Sequence, residues 1–126
     1  MSIVLDASAL LAMLWDEPGG DQVEKASQGA AISAVNLAEV VGKLADRGID
    51  EDSAKTYLSR FALNVAEFSE KQAYATGSLR GVTREAGLSL GDRACLSLAR
   101  TLGLPVLTAD RAWKNLQHGV EIKLIR

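Results

Sequence analysis

Histidine and cysteine are nearly absent from this chain: His118 and Cys95 stand alone among 126 residues. A single cysteine excludes an internal disulfide. A single histidine leaves little support for a zinc site or a Ser-His-Asp triad. His118 lies in a polar Gln117-His118-Gly119 stretch and reads as a solvated turn residue. Cys95 has Ala94, Leu98 and Ala99 around it, so it reads as helix core in a protein of the reducing cytoplasm. No apolar run approaches the ~20 residues that span a bilayer, and Met1-Ser2-Ile3-Val4-Leu5-Asp6 carries no basic stretch of the kind that opens an export signal. A cytoplasmic protein without a membrane partner is expected. Gly19-Gly20 lacks the Lys and Ser/Thr of a nucleotide P-loop. With a net charge of -2 and a pI of about 5.4, the chain has no global pull on nucleic acid, so any such partner needs local basic patches.

What is present is apolar and ordered. Nearly half of the residues, 48%, are apolar, with no low-complexity run, and the length suits one packed domain and is too short for two. Residues 3–5 form a β-branched run too short for a helix and read as a buried strand ending at Asp6. Helix formers fill 7–15 until Asp16-Glu17-Pro18-Gly19-Gly20 turns the chain, and a short helix is expected over 22–27. A strand over 30–33 is followed by a helix over 35–47, where Leu37, Val40, Val41, Leu44 and Ala45 recur at helical spacing. Gly48 ends it, and Asp50 caps a helix running through Phe61. A third strand is expected over 63–68. Ser69 with Gln72 is a capping-box pattern that opens a long helix over 69–85, which Gly77 and Gly81 weaken. A helix over 90–102, a strand over 106–108, a short helix over 109–116 and a strand over 120–125 complete the chain. Alternating strands and helices predict an α/β domain with right-handed crossovers and parallel strands, whose carboxyl ends gather at one edge.

Four acids fall near that edge: Asp6 and Asp110 just past strands, Glu39 one turn into a helix, and Asp92 at the start of another. Singly, each has a structural reason. Asp6 and Asp110 suit helix caps, Asn36 with Glu39 and Ser89 with Asp92 have capping-box spacing, and Glu39 with Lys43 suits an ion pair. Together they are harder to account for, because close carboxylates in a crevice repel unless a cation lies between them. Oxygen ligands without histidine or cysteine select Mg2+ or Mn2+. A receiver domain or an aspartyl phosphatase would also place an aspartate after the first strand, but Asp6-Ala7-Ser8 lacks the paired acid of either pattern.

Four segments carry a family resemblance: Val4-Leu5-Asp6-Ala7-Ser8-Ala9-Leu10-Leu11-Ala12, Asn36-Leu37-Ala38-Glu39-Val40, Leu90-Gly91-Asp92-Arg93-Ala94-Cys95-Leu96 and Leu107-Thr108-Ala109-Asp110-Arg111-Ala112-Trp113. Each is weak alone, but the four in order are specific. The chain resembles PIN-domain ribonucleases, most closely the VapC-type toxins of bacterial and archaeal toxin-antitoxin pairs, over essentially all of residues 1–126. The resemblance implies an α/β/α sandwich around a mainly parallel sheet of about four to five strands. It also implies an endoribonuclease that hydrolyses phosphodiesters with metal-activated water. The family's acids fall on Asp6, Glu39, Asp92 and Asp110, as catalytic residues holding one or two Mg2+ or Mn2+ ions. Ser8 and Thr108 match the hydroxyl positions that accompany the first and last acids and would orient carboxylates or waters. Ala112 stands where some members carry a further acid, so water or substrate phosphate would complete a second ion's shell.

Arg80, Arg84, Arg93, Arg111 and Lys114 are the available phosphate contacts for RNA. The resemblance further implies an antitoxin that wraps the chain, DNA reached only through that antitoxin, and a homodimer. Leu11, Met13, Leu14 and Trp15 offer apolar surface that either meets such a partner or packs the core. Two other readings stay open: a metal-dependent DNA nuclease, and a non-catalytic PIN-like binding module.

Overall fold

The computed structural model describes residues 2–114 and 119–126. Among them, five short strands pair in parallel: β1 (Val4–Leu5), β2 (Ala31–Ser33), β3 (Asn64–Ala66), β4 (Val106–Thr108) and β5 (Ile122–Leu124). Their order across the sheet is β3-β2-β1-β4-β5. Parallel pairing requires each return to cross a face, and helices make the crossings. Helices α1 (Ala7–Leu14) and α2 (Gly20–Ala26) link β1 to β2, and α3 (Ala34–Asp46) with α4 (Glu51–Ser59) links β2 to β3. Between β3 and β4 lie α5 (Glu70–Ser78), α6 (Arg80–Thr83) and α7 (Leu90–Leu102), and a single 3-10 turn (Arg111–Trp113) follows β4.

Side chains alternate across a strand, so each strand feeds two cores. Leu5, Ile32 and Leu107 face Leu10, Val23, Val40 and Leu58 of the first four helices. Val4, Ala31 and Val106 face Cys95, Leu96 and Ala99 of α7, together with Leu79 and Trp113. Burial on both faces is why residues 3–5 carry no polar side chain. The result is the expected α/β/α sandwich. Chain order runs outward from β1 in both directions, to β2 and β3 on one side and to β4 and β5 on the other. That reversal makes the carboxyl ends of β1 and β4 the switch point of the sheet, the place where open α/β folds bind ligands.

Several elements are shorter than the sequence predicts. The 69–85 helix breaks after Ser78, where Leu79 caps α5 and α6 adds one turn before Gly87 at φ +68. Ser69 does accept from the Gln72 N–H at 3.2 Å, but the capping box is only half made. The Gln72 amide turns instead to Thr101 Oγ1 (2.9 Å) and accepts from Ser97 Oγ (3.2 Å), joining α5 to α7. The strand over 63–68 is limited to Asn64–Ala66, an exposed edge. The short helix over 109–116 is reduced to the 3-10 turn, and its last two residues lie outside the described ones, as does the turn assigned to His118. Leu11, Met13 and Leu14 are half-buried against the first core, and Trp15 stacks under the Arg47 guanidinium at 3.7 Å. No helix among the described residues is long and apolar enough to cross a membrane.

The α1–α2 corner depends on one close approach. Gly20 is buried, and a Cβ there would collide with the Ala12 carbonyl, 2.9 Å from its carbon. Gly20→Ala is expected to cost about 2 kcal/mol through overpacking against rigid backbone. Thermal melts check this, and an unchanged melting temperature would mean that the corner is looser than described.

Candidate active site

Asp6 stands at the end of β1 with extended backbone (φ -88, ψ 174) and caps α1, its Oδ1 accepting from the Ala9 N–H at 2.8 Å. Leu5 is in register with Leu107, which brings Thr108 beside Asp6. The Thr108 hydroxyl donates to Asp6 Oδ2 at 2.6 Å, and the Ser8 hydroxyl lies 2.8 and 2.9 Å from the two carboxylate oxygens. Both hydroxyls are themselves positioned by backbone: the Ala109 N–H donates to Ser8 Oγ and the Asp110 N–H to Thr108 Oγ1, each at 3.0 Å. The Asp6 side chain is thus tied to the far end of β4 while only 3% of the residue is exposed. Burial pushes its pKa from 3.8 up to about 6, against the pull of the Thr108, Ala9 and Ser8 hydrogen bonds, and the Asp92 charge adds to the rise.

Asp92 lies in the first turn of α7, where the full capping box with Ser89 forms as predicted: Asp92 Oδ2 accepts from the Ser89 N–H at 3.0 Å and Ser89 Oγ from the Asp92 N–H at 3.2 Å. Glu39 is different. Its helix is capped by Ser33, which accepts from the Val35 N–H, so the expected Asn36–Glu39 capping box does not exist. Asn36 sits inside α3, buried, and its Nδ2 donates to both Glu39 Oε1 and the Gly91 carbonyl, each at 2.9 Å. The Glu39 carboxylate occupies the space that a Cβ on Gly91 would need. Neither ion pair described among these residues, Lys55–Glu51 or Arg126–Glu17, includes Glu39, so the Glu39–Lys43 pair is not made.

The acids share a neighbour. Burial pushes the Cys95 thiol well above its ordinary pKa, and the charges of Asp6, Asp92 and Glu39 add to it, so all three lie within electrostatic reach of one buried side chain of α7. Cys95 is core, as the sequence predicts. Asp110 meets Thr108 only through its backbone N–H, while its carboxylate caps the 3-10 turn, Oδ1 accepting from the Ala112 N–H at 2.9 Å. Among the described residues no three acids close on one point, so the convergence of all four that the sequence predicts is not formed as a ready cage. Of the basic candidates, Arg80, Arg84 and Arg111 are exposed. Lys114 donates to the Ile122 carbonyl at 3.2 Å, and Arg93 keeps a buried Nε with no hydrogen-bond partner. Asn36 and Gly91 are the site residues that sequence reasoning missed as such. Asn36 placed three residues before Glu39 was the available signal, because that spacing puts an amide beside a carboxylate on one helix face.

The donors suit a hard divalent cation: carboxylate oxygens and hydroxyls, no imidazole among the described residues, and one thiol whose raised pKa keeps it protonated. A buried Asp6 without a cationic partner among the described residues, its pKa raised further by the Asp92 charge, is the arrangement such an ion relieves.

Fold and site together define a parallel α/β domain with a buried aspartate at its switch point. The PIN-domain profile matches residues 3–119, and the chain belongs to the PIN-domain family. It is similar to Ribonuclease VapC3 of Pyrobaculum aerophilum, with 35% identity over 88% of this chain and 91% of the relative. Among solved structures it is similar to a toxin-antitoxin complex from Klebsiella pneumoniae (TM-score 0.76, 19% identity, 99% of this chain and 98% of that one). It is also similar to a DNA-bound VapBC from Salmonella typhimurium (TM-score 0.74, 18% identity, 100% and 99%). The resemblance read from the four sequence segments therefore holds.

Proposed function

We propose that this PIN-domain chain is a Mg2+- or Mn2+-dependent endoribonuclease acting as the toxin of a VapBC-type pair. The observation that carries the reading is the Asp6 carboxylate: buried at the switch point, held by two hydroxyls and a backbone N–H, within electrostatic reach of Asp92, and without a cationic partner among the described residues. The curated ribonuclease relative supports RNA as the substrate, and the solved toxin-antitoxin relatives support a protein partner.

Asp6, Asp92, Glu39 and Asp110 are the residues that would hold one or two ions. When bound, a divalent ion neutralises the acids, lowers the pKa of water for attack on phosphorus and stabilises the charge that develops there. The chain's own part is positioning. Thr108 and Ser8 fix the Asp6 oxygens, so the carboxylate does not reorganise during the reaction. Arg80, Arg84, Arg93, Arg111 and Lys114 supply positive charge for RNA phosphates on a chain whose net charge is -2. The antitoxin would cover the crevice and reach DNA on the pair's behalf, and the toxin would form a homodimer.

Incubating the protein with matched RNA and DNA oligonucleotides in MgCl2, MnCl2 or EDTA tests this directly. RNA cleavage that needs the metal and stops in EDTA is the expected result. Cleavage of DNA alone would make the chain a deoxyribonuclease. No cleavage of either, with a melting temperature indifferent to millimolar Mn2+, would make it a binding module.

A further inference from the structure

Asn36 is 1% exposed and has no part in the roles described above. Its amide orientation is fixed by its neighbours: Glu39 Oε1 and the Gly91 carbonyl are both acceptors, so the atom 2.9 Å from each must be the NH2 group. Both amide hydrogens are thereby used. The other end, Oδ1, is buried with no hydrogen-bond partner. A side chain serving only to pack α3 on α7 would do better without that oxygen, since an apolar group of similar shape leaves nothing desolvated and unpaired.

The two bonds converge on one object. One grips the Glu39 carboxylate, and the other grips the backbone of the residue immediately before Asp92. Because Gly91 has no side chain, the carboxylate lies directly against the first turn of α7. Glu39 Oε2 has no hydrogen-bond partner among the described residues.

We propose that Asn36 is a positioning residue: its amide clamps Glu39 Oε1 to the Gly91 backbone, presetting the Glu39–Asp92 pair for a divalent cation and leaving Glu39 Oε2 to meet it. This rests on the metal-dependent reading of the site. An exposed glutamate otherwise loses side-chain freedom when a cation binds, and the clamp moves that loss into folding.

The test measures Mn2+ affinity without RNA, by electron paramagnetic resonance titration of the parent, Asn36→Leu, Glu39→Gln and the double variant. Asn36→Leu is expected to weaken Mn2+ binding about 10- to 100-fold, the range for losing an outer partner of a ligand, while the metal-free protein melts cooperatively. In the Glu39→Gln background the same change is expected to have little further effect. Gly91→Ala gives an independent route, since it favours the helix but puts a Cβ where the carboxylate lies, and it is expected to reproduce the loss even if Asn36→Leu does not fold. Unchanged affinity in Asn36→Leu or Gly91→Ala, with Glu39→Gln weakened, would overturn the clamp and leave the metal reading standing. Equal weakening by Asn36→Leu in both backgrounds would also overturn it, because the effect would not pass through Glu39. A parent that binds no Mn2+ at millimolar concentration would remove the metal reading and the clamp together.

Discussion

Asp6→Asn is expected to lower metal-dependent RNA cleavage on the order of a thousandfold, beyond the 10- to 100-fold that follows loss of an outer hydrogen-bond partner. The substitution is nearly isosteric, and the local structure has a place for it. The amide oxygen retains the cap on the Ala9 N–H. The amide nitrogen faces Thr108 Oγ1, which already accepts from the Asp110 N–H and has a second lone pair to offer. What disappears is the negative charge at the one carboxylate that is both buried and held from three sides. Cleavage assays in Mn2+, with circular dichroism to confirm the fold, make the measurement. Full activity in a folded Asp6→Asn protein would end the assignment of this crevice as the reaction site.

The metal-free protein is expected to lose stability as pH rises from about 4 to 6, opposite to the usual behaviour of a protein with salt-bridged acids. The sign follows from Asp6, whose pKa rises from 3.8 to about 6 on folding. Between those values the native state holds more protons than the unfolded chain, so unfolding becomes easier with increasing pH. The full change is about 3 kcal/mol, complete above the folded pKa. Asp50 works in the other direction, because the Ser53 hydrogen bonds lower its pKa. The informative quantity is therefore the difference between the parent and Asp6→Asn. In EDTA, urea melts at pH 4.5 and 7.5 should show the parent losing more stability than the variant, and Asp6→Asn should be the more stable of the two at pH 7.5. Saturating Mn2+ should raise the parent at pH 7.5 and leave the variant nearly unmoved. Parallel pH profiles in EDTA would show that Asp6 is not buried as a carboxylate in the free protein.

The sheet was legible because its strands are short, apolar and bounded by turn residues: Ile3-Val4-Leu5 and Val106-Leu107-Thr108 left little other choice. The cap at Ser89 was legible because its acid lies three residues on and nothing else competes for it. Gln72 shows why the same spacing failed at Ser69: two hydroxyls on α7, Ser97 and Thr101, outbid the local bond, and no local pattern announces a partner some 25 residues away. Asn36 failed for a related reason. Its role depends on the Gly91 carbonyl, 55 residues distant, so in sequence it reads as one more polar residue near a helix start. Asp6 and Asp110 were placed correctly at the sheet edge because parallel strands bring their carboxyl ends together whatever the connections contain. The break after Ser78 was hinted at by Gly77 and Gly81, but helix propensity alone did not show where the chain would turn.

The Thr108–Asp6 hydrogen bond spans 102 residues, and β4 is the neighbour that completes the flank of β1. Within this sequence the earliest strand, β1, therefore gains its second neighbour only from a strand far along the chain. Closing so long a loop is entropically costly, and only the packing of α7 and β4 offsets it. Until β4 pairs, Asp6 lacks its Thr108 donor. A chain that stops short of residue 106 carries Asp6 without the Thr108 hydroxyl that fixes its carboxylate.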